Sequence, residues 1–151
     1  MELILGGYAQ GKLDFAKSCY PDAVVFDDIN YRELLSSDDS CCSVAGGLPG
    51  DAESVGDIGE KYTKIWNHFN ISVKKMLELS KNDDEVRELI QKSIVFHKNL
   101  VIISDEIGCG IVPMNADDRH FREFIGRIQC FLAEKAERVF RVVCGIPQRI
   151  K

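Results

Sequence analysis

The sequence predicts an α/β domain with a mainly parallel sheet flanked by helices. Three observations carry that expectation. Short apolar runs alternate with longer stretches of helical periodicity. A glycine-rich turn follows the first apolar run and opens a helix. Leu100-Val101-Ile102-Ile103 is continuously apolar, as expected of a strand covered on both faces.

The elements follow in order. A strand is expected at about residues 2–5, then a glycine loop, then a helix from Lys12 that fades before Pro21. Ala23–Phe26 reads as a second short strand. Residues 36–59 hold Ser-Ser-Asp-Asp-Ser, Gly-Gly-Leu-Pro-Gly and two further glycines, which is the chemistry of a long flexible loop. Tyr62, Ile65, Trp66, Phe69, Val73, Met76 and Leu77 recur at three-to-four spacing, predicting one long helix from about Glu60 to Leu79. Asn82 caps another helix, with Asp83-Asp84-Glu85 in its first turn, running to about Phe96. After the Leu100 strand, Asp117-Asp118 opens a helix with Phe121, Phe124, Ile125, Ile128, Phe131 and Leu132 on one side. Arg138–Val143 reads as the last strand, followed by Gly145 and a tail. No repeat and no domain boundary is visible, so residues 1–151 are expected to form one domain.

Charge is unevenly spread over the 151 residues, whose formal net charge is −5. Residues 27–60 carry nine acids against one base, whereas residues 61–151 carry 12 acids against 16 bases. A nucleic-acid binder needs a clustered positive field, so no nucleic-acid partner is expected. The mild basic excess of the later part suits a small anion. No apolar run approaches the roughly 18–20 residues that span a bilayer, so a cytoplasmic protein without membrane contact is expected. The six cysteines show no zinc spacing, and Cys130 and Cys144 are expected to be buried, reduced thiols.

The strongest chemical signal is Gly6-Gly7-Tyr8-Ala9-Gln10-Gly11-Lys12, which fits G-x-x-x-x-G-K between a strand and a helix. Curled glycine backbone presents N–H groups to phosphate, the helix N-terminus adds positive potential, and Lys12 reaches the β/γ-phosphates. The next position ordinarily supplies a Ser or Thr hydroxyl to Mg²⁺, but here it is Leu13. At the end of the Leu100 strand, Asp105-Glu106 resembles a Walker B acid pair, with Asp105, and secondarily Glu106, as candidate Mg²⁺ ligands. On the expected long helix, His68 joins Lys61, Lys64, Ser72 and Lys75 in a polar stripe, as a candidate nucleophile or a solvated flank residue. His97 reads as a helix C-terminal residue and His120 as a helix-surface one, while Arg119, Arg122 and Arg127 read as solvated helix charges, with phosphate or partner-subunit contact as the other possibility.

From Ser104-Asp105-Glu106-Ile107-Gly108-Cys109-Gly110-Ile111-Val112-Pro113, through Arg119-His120-Phe121-Arg122-Glu123 and Gly126-Arg127, the chain resembles the adenosylcobinamide kinase/adenosylcobinamide-phosphate guanylyltransferase family. The likeness continues in Val142-Val143-Cys144-Gly145-Ile146-Pro147 and Ile150-Lys151, and the opening glycine loop looks like the family's P-loop. The resemblance implies a RecA-like P-loop fold, a homotrimer, and ATP or GTP as substrate. It also implies two reactions of cobalamin (vitamin B12) assembly: phosphorylation of adenosylcobinamide, and transfer of GMP to the product through a guanylylated histidine. Residues 27–60, where the family carries that histidine, contain none, and His68 is the nearest. A rival expectation is a catalytically weakened nucleotide- or corrinoid-binding relative with a regulatory or scaffold role. A third is a P-loop NTPase with an unrelated substrate.

Overall fold

The computed structural model describes residues 1–29, 32, 34, 62–80, 82–108 and 110–151. The loop expected over 36–59, with Cys41 and Cys42, lies outside the described residues. In chain order the elements are β1 (Glu2–Gly6), α1 (Lys12–Cys19), β2 (Val24–Phe26), β3 (Lys64–Trp66), α2 (Phe69–Ser80) and α3 (Asp83–Phe96). They continue with β4 (Leu100–Asp105), α4 (Ala116–Lys135), β5 (Arg138–Val143) and β6 (Ile146–Arg149). The strands form one sheet in the order β2-β3-β4-β1-β5-β6. All neighbours are parallel except β5 and β6, which are antiparallel.

Period-two alternation divides the sheet between two apolar layers. Leu3, Trp66, Ile102 and Val139 face α2, α3 and α4, meeting Phe69, Val73, Ile90, Ile125 and Ile128. Ile4, Ile65, Val101, Ile103 and Val142 face the opposite side, where Ala16 of α1 covers them. Both faces are therefore closed, as the uninterrupted apolar character of β4 requires. Asn82 caps α3 through its side-chain oxygen on the Asp84 N–H, and Asn115 does the same for α4 at Asp117. No helix among the described residues is long and apolar enough to cross a membrane.

Three expectations need correction. The single helix predicted over 60–79 is a strand, a turn and a shorter helix. Ile65 and Trp66 are both fully buried but in opposite layers, which a helix face cannot achieve. His68 then takes a left-handed φ of 49°, which stops the strand and starts α2. The polar stripe dissolves with it, since Lys64 lies on β3 and Ser72 is fully buried. Secondly, the tail after Gly145 is β6, hydrogen-bonded along β5 from Val143 opposite Ile146 to Phe140 opposite Arg149. Thirdly, Cys130 and Cys144 are exposed. Cys130 lies two positions from Ile128, about 200° around α4, and Cys144 occupies a left-handed turn residue with φ 50°.

Tyr20 ties the end of α1 to the sheet. Its Oη donates to Glu2 Oε1 at 2.5 Å, and Arg138 donates to Glu2 and, at 2.9 Å, to the phenolic oxygen. Removal from water, reinforced by the Glu2 carboxylate, pushes the phenol up from 10.0 to about 12. The folded protein thus holds this proton more tightly than the unfolded chain does. Its contribution to stability is complete below pH ~10 and is lost as pH rises toward ~12. Tyr20→Phe is expected to flatten the decline in stability across that alkaline window. Urea unfolding at pH ~9 and pH ~12 reads the slope, and an unaltered decline in the variant contradicts the assignment.

Candidate functional site

Parallel strands place their C-terminal ends along one edge of the sheet, and the candidate residues gather there. The register sets Gly6 directly beside Asp105 on one side and Val142 on the other. A Cβ at position 6 would lie 2.4 Å from the Val142 carbonyl oxygen, so only glycine lets β1 turn here between its neighbours. Glu106 N–H donates to the Gly6 carbonyl at 2.9 Å, extending the β1–β4 pairing by one bond. The chain then turns through Gly7, Tyr8, Ala9 and Gln10 to Gly11, whose φ of 78° caps α1 in a left-handed conformation.

Lys12 is the first residue of α1, yet it is buried rather than solvated. Its Nζ donates to the Gly7 carbonyl at 2.6 Å and to Asp105 Oδ1 at 2.6 Å. The lysine thus folds back across the loop and pairs with the acid at the end of the adjacent strand. Asp105 has further support. Asn70 of α2 accepts the Asp105 N–H at 3.1 Å and donates to Oδ2 at 3.3 Å. Gln129 of α4 donates to the Asp105 carbonyl at 2.8 Å and to Ser104 Oγ at 2.9 Å.

The loop has a second support from the turn that follows the neighbouring strand β5. The turn between β5 and β6 lies against it, with Gly145 N–H on the Gln10 carbonyl at 3.0 Å and Cys144 N–H on Gln10 Oε1 at 2.6 Å. Gly11 faces Gly145 closely enough that an added Cβ would sit 3.4 Å from its Cα.

The other candidates are distributed differently. Tyr8 projects into solvent at the tip of the loop. Leu13 packs with the apolar layer beneath α1, so it contributes to the core instead of an oxygen ligand. Glu106 turns to Arg141 of β5, with Arg Nη2 3.2 Å from its Oε2. His68 sits at the end of β3, half-exposed, with Nδ1 3.4 Å from Asp27 Oδ1 and 3.3 Å from Asn67 Nδ2. Asn67 also donates to Asp27 at 2.6 Å. Beside them Lys75 donates to Asp28 Oδ2 at 2.6 Å, and that hydrogen bond holds the Asp28 carboxyl below its ordinary value. His97 is buried at the C-terminus of α3, its Nε2 2.8 Å from the Leu34 carbonyl. His120 is exposed, 2.9 Å from Asp83. Arg119 and Arg122 donate to carbonyls of the loop before α4, those of Pro113 and Met114 and those of Gly108, Gly110 and Ile111 respectively. Arg127 pairs with Glu123 within the helix.

Asn70 and Gln129 were not identified from the sequence, because neutral amides carry no motif. The available signal was weak: Asn70 interrupts an apolar face between Phe69 and Val73, and Gln129 follows Ile128 in another.

Chemically, the edge offers one buried cation, one carboxylate and a glycine loop at a helix N-terminus, a set suited to a phosphate group. Among the described residues no group of three or more His, Cys, Asp or Glu side chains converges on a point. Asp105 fits the sparser mode of Mg²⁺ binding, in which one or two carboxylates are joined by water and substrate phosphates.

Comparison with known proteins covers the part of the site from β3 onward and leaves Gly6 to Leu13 outside the matched residues. The family model for cobinamide kinase/cobinamide phosphate guanyltransferase matches residues 62–150, from β3 through β6. The bifunctional adenosylcobalamin biosynthesis protein CobU of Salmonella typhimurium is 42% identical over 69 residues, covering 46% of this chain and 38% of that protein. Its Escherichia coli counterpart is 39% identical over 67 residues, covering 44% of this chain and 37% of the relative. Each match thus spans less than two fifths of the relative's length. The family match takes in more than half of this chain, including Asp105, Asn70 and Gln129 and the parallel strands that hold them. An α/β P-loop architecture and this match lead to one assignment: the chain belongs to the cobinamide kinase/cobinamide phosphate guanyltransferase family.

Proposed function

We propose that the protein binds ATP or GTP and acts in cobalamin biosynthesis as an adenosylcobinamide kinase/adenosylcobinamide-phosphate guanylyltransferase. The observation that carries the reading is the Lys12 ammonium, held 2.6 Å from both the Gly7 carbonyl and Asp105 at the mouth of the glycine loop. Lys12 neutralises the β/γ-phosphates, and the backbone of Gly6 to Leu13 surrounds them. Mg²⁺, when bound, screens the phosphate charge, and Asp105 is the side chain that would hold it. In the kinase step the cobinamide hydroxyl oxygen forms a bond to the γ-phosphorus as the bond to the nucleoside diphosphate breaks. The hydroxyl proton leaves to solvent or an adjoining carboxylate.

For guanylyl transfer we assign the nucleophile to His68, oriented by Asp27 and Asn67 at Nδ1. Its left-handed backbone is a conformation that costs energy and often accompanies functional positions. The second reading, a weakened nucleotide- or corrinoid-binding relative, is favoured by Leu13, whose packing into the core leaves the Mg²⁺ hydroxyl unreplaced.

One assay series separates these readings. An enzyme turns over adenosylcobinamide with ATP or GTP, and with GTP labelled at the α-phosphorus it acquires an acid-labile label that His68→Asn abolishes. Retention of label in that variant removes His68 from the reaction. Nucleotide-dependent thermal stabilisation without turnover favours the weakened relative. Nucleotide hydrolysis indifferent to cobinamide points to another substrate.

A further inference from the structure

The acid at the end of β4 is gripped by a side chain that needs no charge to do so. Asn70 is 6% exposed and lies in the first turn of α2, next to the fully buried Phe69 and Val73. Its amide holds Asp105 at two points. Oδ1 accepts the main-chain N–H at 3.1 Å, and Nδ2 donates to carboxylate Oδ2 at 3.3 Å. A carboxylate anchored this way cannot rotate freely, so its two oxygens become distinct. Oδ2 is committed to a short, enclosed amide. Oδ1 is committed to Lys12, a long side chain with several rotatable bonds.

The two attachments differ in how readily they yield. Lys12 can turn toward an arriving phosphate, exchanging one anion for another. Asn70 has no such freedom, because its side chain is short and buried and its amide is engaged at both the oxygen and the nitrogen. When the lysine moves, Oδ1 is released while still aimed at the glycine loop.

We propose that Asn70 is a positioning residue that reserves Asp105 Oδ1 for the divalent cation accompanying a nucleotide, by withholding Oδ2. The inference rests on the reading of the Lys12 loop as a nucleotide-phosphate site. Groups that orient a ligating carboxylate commonly govern metal affinity by about 10–100-fold.

The test measures binding instead of turnover. A fluorescent GTP analogue is titrated against the full chain in EDTA and then across a range of Mg²⁺ concentrations, for wild type, Asn70→Leu and Asn70→Ala. Thermal melts verify folding. Expected is an EDTA affinity within about twofold of wild type and a Mg²⁺ midpoint raised about tenfold or more in both variants. An unmoved Mg²⁺ midpoint overturns the proposal. So does an equal loss of affinity with and without Mg²⁺, or failure of both variants to fold, since each assigns Asn70 a purely structural role. Wild-type protein that binds no nucleotide refutes the phosphate-site reading itself. Binding that ignores Mg²⁺ leaves that reading intact and refutes only the role of Asn70.

Discussion

Lys12→Met is expected to abolish nucleotide-dependent thermal stabilisation and to lower kcat/KM for any phosphoryl or guanylyl transfer by at least about a hundredfold. The same substitution should destabilise the ligand-free fold by about 2–3 kcal/mol, because Asp105 is mostly enclosed and loses its paired cation, Lys12. These two consequences separate in a double mutant. Asp105→Asn added to Lys12→Met removes the orphaned charge, so most of the lost stability should return while nucleotide binding does not. Urea unfolding and a nucleotide titration on the three variants complete the cycle. Nucleotide affinity in Lys12→Met equal to wild type would falsify the phosphate role of the lysine. Absence of any stability recovery in the double mutant would show that the pair is not coupled.

Trp66→Ala is expected to cost about 3–5 kcal/mol, the largest effect on folding of any single truncation considered. Trp66 is fully buried, its ring meets Phe69 edge-on at 4.9 Å, and its indole N–H donates to Ser72 Oγ at 3.1 Å. Truncation therefore opens a cavity between sheet and helix and leaves the buried Ser72 hydroxyl short of a partner. Leu79→Ala on the same helix, 66% exposed, serves as the comparison and should stay within about 0.5 kcal/mol of wild type. A denaturation midpoint for Trp66→Ala close to that of Leu79→Ala would mean the indole does not anchor β3 to α2.

Trp66 also shows where sequence reading reached its limit. Its spacing from Tyr62, Ile65 and Phe69 satisfies a helical period, and three-residue β3 is too short for alternation to compete. What decides the matter is β2 and β4, which offer hydrogen-bonding partners on both sides, and no local pattern reports that. By contrast β4 was legible, because its first four residues, Leu100 to Ile103, are buried between two helical layers and have to be apolar whatever their neighbours. The capping residues Asn82 and Asn115 lie in or next to acidic first turns that mark where α3 and α4 begin, and both helices start within a residue of their expected positions.

The site divides along similar lines. Lys12 and the glycines around it were readable, since a backbone turn beside a helix start constrains residue type strongly. The pairing of Asp105 with Lys12 followed from strand order, which a parallel α/β pattern suggests but does not specify. Glu106 reads in sequence as a secondary candidate beside Asp105, and the structure turns it away to Arg141. The supporting amides were invisible because their value lies in geometry: Asn70 and Gln129 act only through where α2 and α4 cross the end of β4.

The turn joining β5 to β6 has a consequence for how the glycine loop comes into being. Gln10, within the first dozen residues, is held by Cys144 across a separation of 134 positions. β1 itself lies between β4 and β5, so it has no sheet neighbour until those two strands, far later in the chain, are made. During synthesis β1 therefore waits unpaired until β4 brings Asp105 to Lys12, and the glycine loop gains its last support only when residues 138–149 arrive. Such long-range closure slows folding and prolongs exposure of the Leu3-Ile4-Leu5 strand to unwanted pairing. A nascent chain truncated before β5 would keep Asp105 for its lysine but lack the bonds that hold Gln10, so the glycine loop is completed last.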